Sequence, residues 1–201
     1  MKKGKLVIIS GPSGVGKSTI RQQVLETISD AWYSVSMTTR PKRENEQEGI
    51  DYYFISKEQF LENIKNDNFI EYEEVYNGDL YGTPKDAVFN KINAGISVFL
   101  EIDVIGALMV KEKYPDTLMI FIMPPSMEEL ERRLVHRYTD TQEKIKERLE
   151  KAKKEITYKD RYDKVIINDT VEKTVQEFVD VVEENRKKHI IWRRTYGKKL
   201  D

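Results

Sequence analysis

The chain has 201 residues, 39% hydrophobic and 34% charged, with 34 Lys and Arg against 35 Asp and Glu; this suits one large domain with a real core, and its near-neutral balance disfavours a nucleic-acid binder that works through bulk positive charge. Cysteine is absent and histidine occurs twice, which excludes disulfides, zinc-thiolate sites and a cysteine nucleophile, and leaves too few ligands for most histidine metal cages. The apolar runs contain acids or stop far short of about 20 residues, and the opening MKKGKLVIISGPSG meets Gly and Pro before a secretory core can form, so a cytoplasmic protein with no membrane partner is expected.

Short apolar segments alternate with amphipathic ones, the pattern of an α/β domain with a mostly parallel sheet. Residues 5–10 (KLVIIS) read as a buried strand, followed by a Gly-rich turn and a helix over 17–28. Residues 36–82 break the alternation with polar loops, aromatics and the period-2 run Phe69-Ile70-Glu71-Tyr72-Glu73, which predicts a small inserted sheet. Within that stretch Ser56 and Gln59 form a capping box. Thr83-Pro84 predicts a cap followed by proline at the first helical position, and Gly95 a stop for the helix so begun. Residues 97–103 (SVFLEID) and 118–123 (LMIFIM) read as strands, and Ser126 with Glu129 as a second capping box. A short insertion at 138–140 precedes a long charged helix over 141–156, a strand over 164–168 (KVIIN) and a helix over 171–188. Charge is unevenly spread: eleven acids against only Lys57 and Lys65 between 44 and 79, then seven bases and no acid between 186 and 199.

The strongest chemical signal is Gly11-Pro12-Ser13-Gly14-Val15-Gly16-Lys17-Ser18-Thr19, a G-x-x-x-x-G-K-S phosphate loop between an apolar strand and a helix start. Its glycines let successive N–H groups turn toward a polyphosphate, and the helix start adds about half a positive charge. Lys17 is suited to bridge β- and γ-phosphates and Ser18 to offer its hydroxyl to Mg²⁺. Asp103 closes an apolar strand as the acid of a Walker-B strand does, suited to Mg²⁺ directly or through water. No N-K-x-D segment occurs, which argues against a switch GTPase. Arg40 and Arg43 lie in one loop (SMTTRPKR), and Arg137 and Arg148 flank the short insertion. Arginine grips phosphate bidentately through a planar fork and stays charged, so two separate pairs point to two phosphorylated substrates.

The runs SGPSGVGKST, SVSMTTRPKR, GIDYYF, FIEYEEV, LYGTP, FLEIDVIGA, PPSMEELERRL, HRYTDTQEKIKERL and VIIND, in that order over nearly the whole chain, resemble the guanylate kinase family. The resemblance implies a phosphate-loop NTPase fold: a five-stranded parallel sheet flanked by helices (1–35, 83–124 and 156–201), a small mixed α/β GMP-binding lobe at 36–82 and a short helical lid at 125–155. It implies transfer of the γ-phosphoryl group of ATP to GMP, with dGMP beside it, and Mg²⁺ as cofactor. By position it assigns Ser36, Glu71 and Thr83 to the guanine base, with Glu101 or Asp103 completing the pocket. It assigns Arg40, Arg43, Tyr52 and Tyr81 to the GMP phosphate, Arg137 and Arg148 to the ATP phosphates, and Asn168 to the neighbourhood of the adenine. Catalysis would fall to Lys17, Arg43, Arg137 and Arg148, with no nucleic-acid partner and either a monomer or a homo-oligomer. The base assignment has independent chemical sense, because guanine presents N1–H and a 2-amino group as adjacent donors that one carboxylate accepts together. Two positions depart from the family pattern, Tyr138 after Arg137 and Ile105 where glutamine is common. Two alternatives stand beside this reading: a catalytically silent guanylate-kinase-like module for phosphorylated peptides, and a related kinase for another small phosphate ester such as a ribose bisphosphate.

Overall fold

Leu6–Ser10 (β1) is buried along its whole length, as expected of a strand with neighbours on both sides. In the computed structural model, which describes residues 4–74, 78–135 and 141–196, β1 is the central strand of a parallel five-stranded sheet with the order β2-β7-β1-β8-β9, where β2 is Ala31–Tyr33, β7 Ser97–Glu101, β8 Leu118–Met123 and β9 Lys164–Ile167. Parallel neighbours need crossovers, and helices lie in them: α1 (Lys17–Thr27), α3 (Lys85–Asn93), α4 (Val104–Lys113), α5 (Met127–Val135) and α6 (Gln142–Ile156), while α7 (Val171–Tyr196) follows the last strand. A second, mixed sheet has the order β4-β3-β6-β5, from β3 (Met37–Thr38), β4 (Tyr53–Phe54), β5 (Phe69–Glu74) and β6 (Leu80–Pro84), with α2 (Lys57–Lys65) between β4 and β5. No helix among the described residues is long and apolar enough to cross a membrane.

The chain divides into two units: residues up to Ile8 with Asp30–Thr117, and Ile9–Ser29 with the residues from Leu118 onward. The first holds the mixed sheet, whose small core is Phe60, Phe69 and Leu80, with Met37, Ile55 and Ile64 packed against it. Phe60 and Phe69 stack with ring centroids 4.5 Å apart. The second holds α1, α5, α6 and α7 with β8 and β9, around the buried Ile20, Val24, Leu130, Leu134, Ile166 and Phe178.

Several local expectations meet a tertiary competitor. The Ser56–Gln59 capping box forms with both reciprocal bonds, and α3 stops at Asn93 two residues before Gly95. At Thr83-Pro84, however, Pro84 is itself the N-cap of α3, and no side chain caps that helix; the Thr83 hydroxyl donates instead to Glu71. Ser126 accepts from the Glu129 amide, but the reciprocal half of this box is missing because the Glu129 carboxylate is held by Arg132 and Arg133. The strand expected to reach 103 ends at Glu101, since Asp103 is the N-cap of α4 and accepts from the Gly106 amide. The last helix runs to Tyr196, beyond the expected 188, with neither Gly nor Pro to interrupt it before Gly197. β5 does not alternate strictly: Phe69, Ile70 and Glu71 are all buried, and its pairing with β6 shifts register between Phe69 and Tyr72. One extra residue there, a β-bulge, re-aims the side chains.

Phe60 is the centre of the mixed sheet's core. Phe60→Ala is expected to cost about 3–5 kcal/mol, the range for emptying a buried aromatic site, read as a lowered urea midpoint with Trp32 fluorescence as the probe.

Candidate active site

The phosphate loop follows β1 in the second unit. Gly16 is the N-cap of α1 with φ 100°, in the left-handed region, and no side chain caps the helix. The first turn of α1 carries no acid, so the positive end of its dipole is left to an anion. Val15 is fully buried and its amide donates to the Pro12 carbonyl at 3.2 Å. Lys17 Nζ donates back to the loop's own carbonyls, Gly11 at 2.6 Å and Pro12 at 3.1 Å. Ser13, Ser18 and Thr19 are exposed. The Val15 carbonyl accepts from Asn168 Nδ2 at 2.7 Å and from Arg133 Nη1 at 3.3 Å. Arg133 in turn is held by Glu129, whose carboxyl is pulled down to about 2 by hydrogen bonds from Arg132 and Arg133. Arg148 is half-buried on α6. Arg137 and Tyr138 lie outside the described residues.

In the first unit, Arg40 is the hub of a phosphate-sized cluster. Its Nε donates to the Tyr81 hydroxyl at 3.0 Å, Nη1 to the Pro41 carbonyl at 2.8 Å and to Glu46 Oε2 at 3.0 Å, and Nη2 to Glu46 Oε1 at 2.7 Å. The Glu46 carboxylate therefore sits on the guanidinium fork bidentately, the geometry of a phosphate on arginine, with side-chain exposures of only 11% and 15%. It also accepts from the Arg43 amide at 2.9 Å. These contacts, the Arg40 hydrogen bond foremost, hold Glu46 below the ordinary carboxylate range. Tyr52 packs edge-on against Tyr81 with centroids 5.7 Å apart, and Arg40 lies over its ring at 5.5 Å. Burial first, then the negative potential of Tyr81 and Glu101, pushes the Tyr52 phenol up, so it stays a neutral donor. The Arg43 side chain is exposed.

Glu71 anchors a second cluster in the same unit. It is 5% exposed, and Oε1 accepts from Thr83 Oγ1 at 2.6 Å. Burial in the first place, and the nearby Asp103 charge, push its carboxyl up to about 7 against the opposing Thr83 hydrogen bond. Gly106 makes room for it: a Cβ there would stand 3.0 Å from Glu71 Oε2 and 3.5 Å from Asp103 Oδ1. Tyr81 and Thr83 are two residues apart on β6, so their side chains leave one face of the strand. That face therefore serves both the Arg40 cluster and Glu71. Ser36 is half-buried and its carbonyl accepts from the Tyr53 amide at 2.9 Å; Glu101 is half-buried at the end of β7.

Two participants escape a reading by sequence. Glu46 hides in the acidic stretch as one acid among eleven, with five residues of loop between it and its arginine. Arg133 shows only as half of an i,i+4 pair with Glu129, a pattern that ordinarily marks a solvated helix face.

Comparison with known proteins puts this geometry in a family context. The guanylate kinase family model matches residues 3–185. The chain is 47% identical over 182 residues to a guanylate kinase of Clostridium tetani, covering 90% of this chain and 86% of that one. It is 46% identical over 183 residues to one of Listeria innocua, covering 90% and 89%. The crystal structure of guanylate kinase from Anaplasma phagocytophilum superposes with a TM-score of 0.77 at 36% identity, covering 92% of this chain and 87% of that one.

The raised Glu71 pKa has a stability consequence. Between about 4.5, its ordinary value, and about 7 the folded chain keeps a proton that the unfolded chain has released, so this group's contribution to stability falls as pH rises through that window. Above it the full cost of a buried carboxylate is present. Glu71→Gln is therefore expected to stabilise the ligand-free protein by about 1–3 kcal/mol at about pH 8. The gain should shrink toward zero near about pH 4.5, as read from unfolding midpoints of both proteins across pH.

Proposed function

The chain belongs to the guanylate kinase family, and we infer that it carries out the transfer of the γ-phosphoryl group of ATP to GMP, giving ADP and GDP. The observation that carries this reading is Glu71: a buried carboxylate with no ion-pair partner among the described residues, held by Thr83 and given room by Gly106. Such a group is costly unless a ligand brings donors to it. Guanine does so through N1–H and its 2-amino group, with Ser36 and Glu101 or Asp103 completing the pocket. Adenine presents a lone pair at N1 and only C–H at C2, leaving the carboxylate unpaired, and sites built this way reject the wrong partner by about 10⁴–10⁵. The intact phosphate loop argues against a silent phosphopeptide module, and Ser36 with Glu71 favours a base over a ribose bisphosphate.

We assign the GMP phosphate to Arg40, Arg43, Tyr52 and Tyr81. Two guanidiniums supply charge and two phenols supply neutral donors, with Glu46 giving up its place on the Arg40 fork. The lobe at 36–82 is then the GMP-binding part of the chain, and 125–155 the lid over ATP. ATP phosphates would replace the Gly11 and Pro12 carbonyls on Lys17 and take up amides of the loop. In the transfer step a GMP phosphate oxygen, already ionised near neutral pH, attacks the γ-phosphorus in line. The bond to the β,γ-bridging oxygen breaks, and that oxygen leaves with ADP. No general base is required. Lys17, Arg43, Arg137 and Arg148 spread the charge of the transferring group, so catalysis rests on positioning and electrostatic stabilisation.

Among the described residues no group of three His, Cys, Asp or Glu side chains stands ready to hold a metal, whereas the Ser18 hydroxyl is exposed in the first turn of α1. That donor set fits a Mg²⁺ that arrives with nucleotide phosphates and keeps its waters, not a resident ion. When bound, Mg²⁺ neutralises charge on the β- and γ-phosphates. Both substrates are ordinary components of the cytoplasm, which supports that location.

A coupled assay of ADP formation over GMP, dGMP, AMP, UMP and ribose 1,5-bisphosphate tests the reading. GMP should be preferred, with dGMP accepted. Glu71→Gln should lose about 2–4 kcal/mol of transition-state binding with GMP while activity on AMP stays level or rises. Full GMP preference in that variant would place base recognition elsewhere. Chelating Mg²⁺ should abolish turnover yet leave the unfolding midpoint of the ligand-free protein unchanged; a lowered midpoint would mean a resident metal.

A further inference from the structure

Asn168 stands just past the end of β9, only 4% exposed, with every polar group engaged inside its own unit. Its backbone amide donates to the Met123 carbonyl at 2.7 Å, and its carbonyl accepts from Arg133 Nη2 at 3.1 Å. The side-chain amide spans two elements: Nδ2 donates to the Val15 carbonyl at 2.7 Å, and Oδ1 accepts from Thr174 Oγ1 of α7 at 3.1 Å. Thr174 is itself buried, and its hydroxyl also lies 2.8 Å from the Thr170 carbonyl.

We propose that Asn168 is a positioning residue for the phosphate loop, oriented by Thr174, and that it sets the direction of the Gly16 amide rather than reading the base of the nucleotide. The proposal rests on the assignment of this loop to ATP. The peptide between Val15 and Gly16 is a rigid plane with its C=O and N–H directed oppositely. Fixing the Val15 oxygen on Asn168 therefore fixes the Gly16 N–H to point away from Asn168, as a donor for a phosphate oxygen. With the amide reversed, its oxygen would oppose the Val15 carbonyl, and Thr174, hydrogen-bonded to Oδ1, steadies the amide from its other end. Gly16 completes the fit. At φ 100° its missing Cβ is the space in which Nδ2 sits, and a Cβ there would approach Nδ2 to 2.7 Å. With the residue only 4% exposed, little of this amide is open to an adenine while both bonds stand.

Inorganic tripolyphosphate, which has no base, separates the two roles. Asn168→Ala is expected to weaken tripolyphosphate and ATP binding by the same factor, about tenfold, and to lower kcat. The preference for ATP over inosine triphosphate and the KM for GMP should stay within about twofold of the parent values. Thr174→Val should shift tripolyphosphate binding in the same direction, and Thr174→Ser, which keeps the hydroxyl, should restore it. Weakened ATP binding with unchanged tripolyphosphate binding would overturn the proposal and return Asn168 to the base. Should Asn168→Ala not fold, the valine and serine variants decide alone: parental tripolyphosphate affinity in Thr174→Val overturns the proposal. A parent protein that binds neither ATP nor tripolyphosphate would instead refute the assignment of the loop, a failure visible before any variant is made.

Discussion

A buried carboxylate with no ion-pair partner among the described residues is the constraint around which part of the first unit is arranged. Glu71 is held there by one short hydrogen bond from Thr83, and burial alone would favour its protonated form. The surroundings are accordingly shaped to tolerate it. The bulge in β5 brings it to the buried side, the Thr83 hydroxyl abandons its expected role as a helix cap, and Gly106 withholds a side chain from α4. Each of these concessions removes stability from the ligand-free fold that the right ligand returns. On the proposed assignment, a base with two adjacent donors would replace the hydrogen bonds to water that Glu71 has lost, so the cost of burying Glu71 and the selectivity have one origin.

The groups proposed for phosphate pose the converse problem, a concentration of donors. Each unit meets it with an internal stand-in. Arg40 takes the Glu46 carboxylate in the geometry it would offer a phosphate, and Lys17 takes the carbonyls of its own loop. Ligand binding at either place is thus an exchange of partners more than a gain of them. The net effect per contact is modest, because a charge-assisted bond replaces another of similar kind. What the stand-ins provide is order: a guanidinium already planar against Tyr81 and Tyr52, and an ammonium already at the mouth of the loop, lose little side-chain entropy when the substrate arrives.

The sequence made legible what local chemistry decides. The phosphate loop, the parallel α/β alternation, the inserted sheet and the Ser56–Gln59 box all follow from spacing and propensity, with no distant partner involved. The misreadings share one cause, a polar side chain with a better partner far along the chain. Thr83 prefers Glu71, twelve residues away, to the amides of α3. Glu129 prefers two arginines to its own cap residue. Glu46 disappears into an acidic composition because its significance is the bidentate fit on Arg40, which no spacing rule encodes. The acidity of 44–79 is therefore not one property: some of its members face water, one holds an arginine, and one lies buried to meet a base.

On the assignments proposed above, these two kinds of site would divide the work of recognition, as follows from what each leaves unpaired. A phosphate without a base can displace Glu46 from Arg40 and gain the Tyr52 and Tyr81 donors, yet it leaves Glu71 desolvated and unanswered, so it binds without relieving the main cost of the empty lobe. A base of the wrong pattern fares worse, since an acceptor brought against Glu71 adds repulsion to that cost unless the carboxyl first takes up a proton. With its pKa near 7, Glu71 can do so at little expense only on the acidic side of neutrality. The protonated acid would then present a donor, the complement of an acceptor at adenine N1. Discrimination between the two purines thus depends on keeping this carboxyl ionised, and the Thr83 hydroxyl, the one contact on Glu71 that favours the charged form most directly, is as much a part of base selection as the carboxylate it holds.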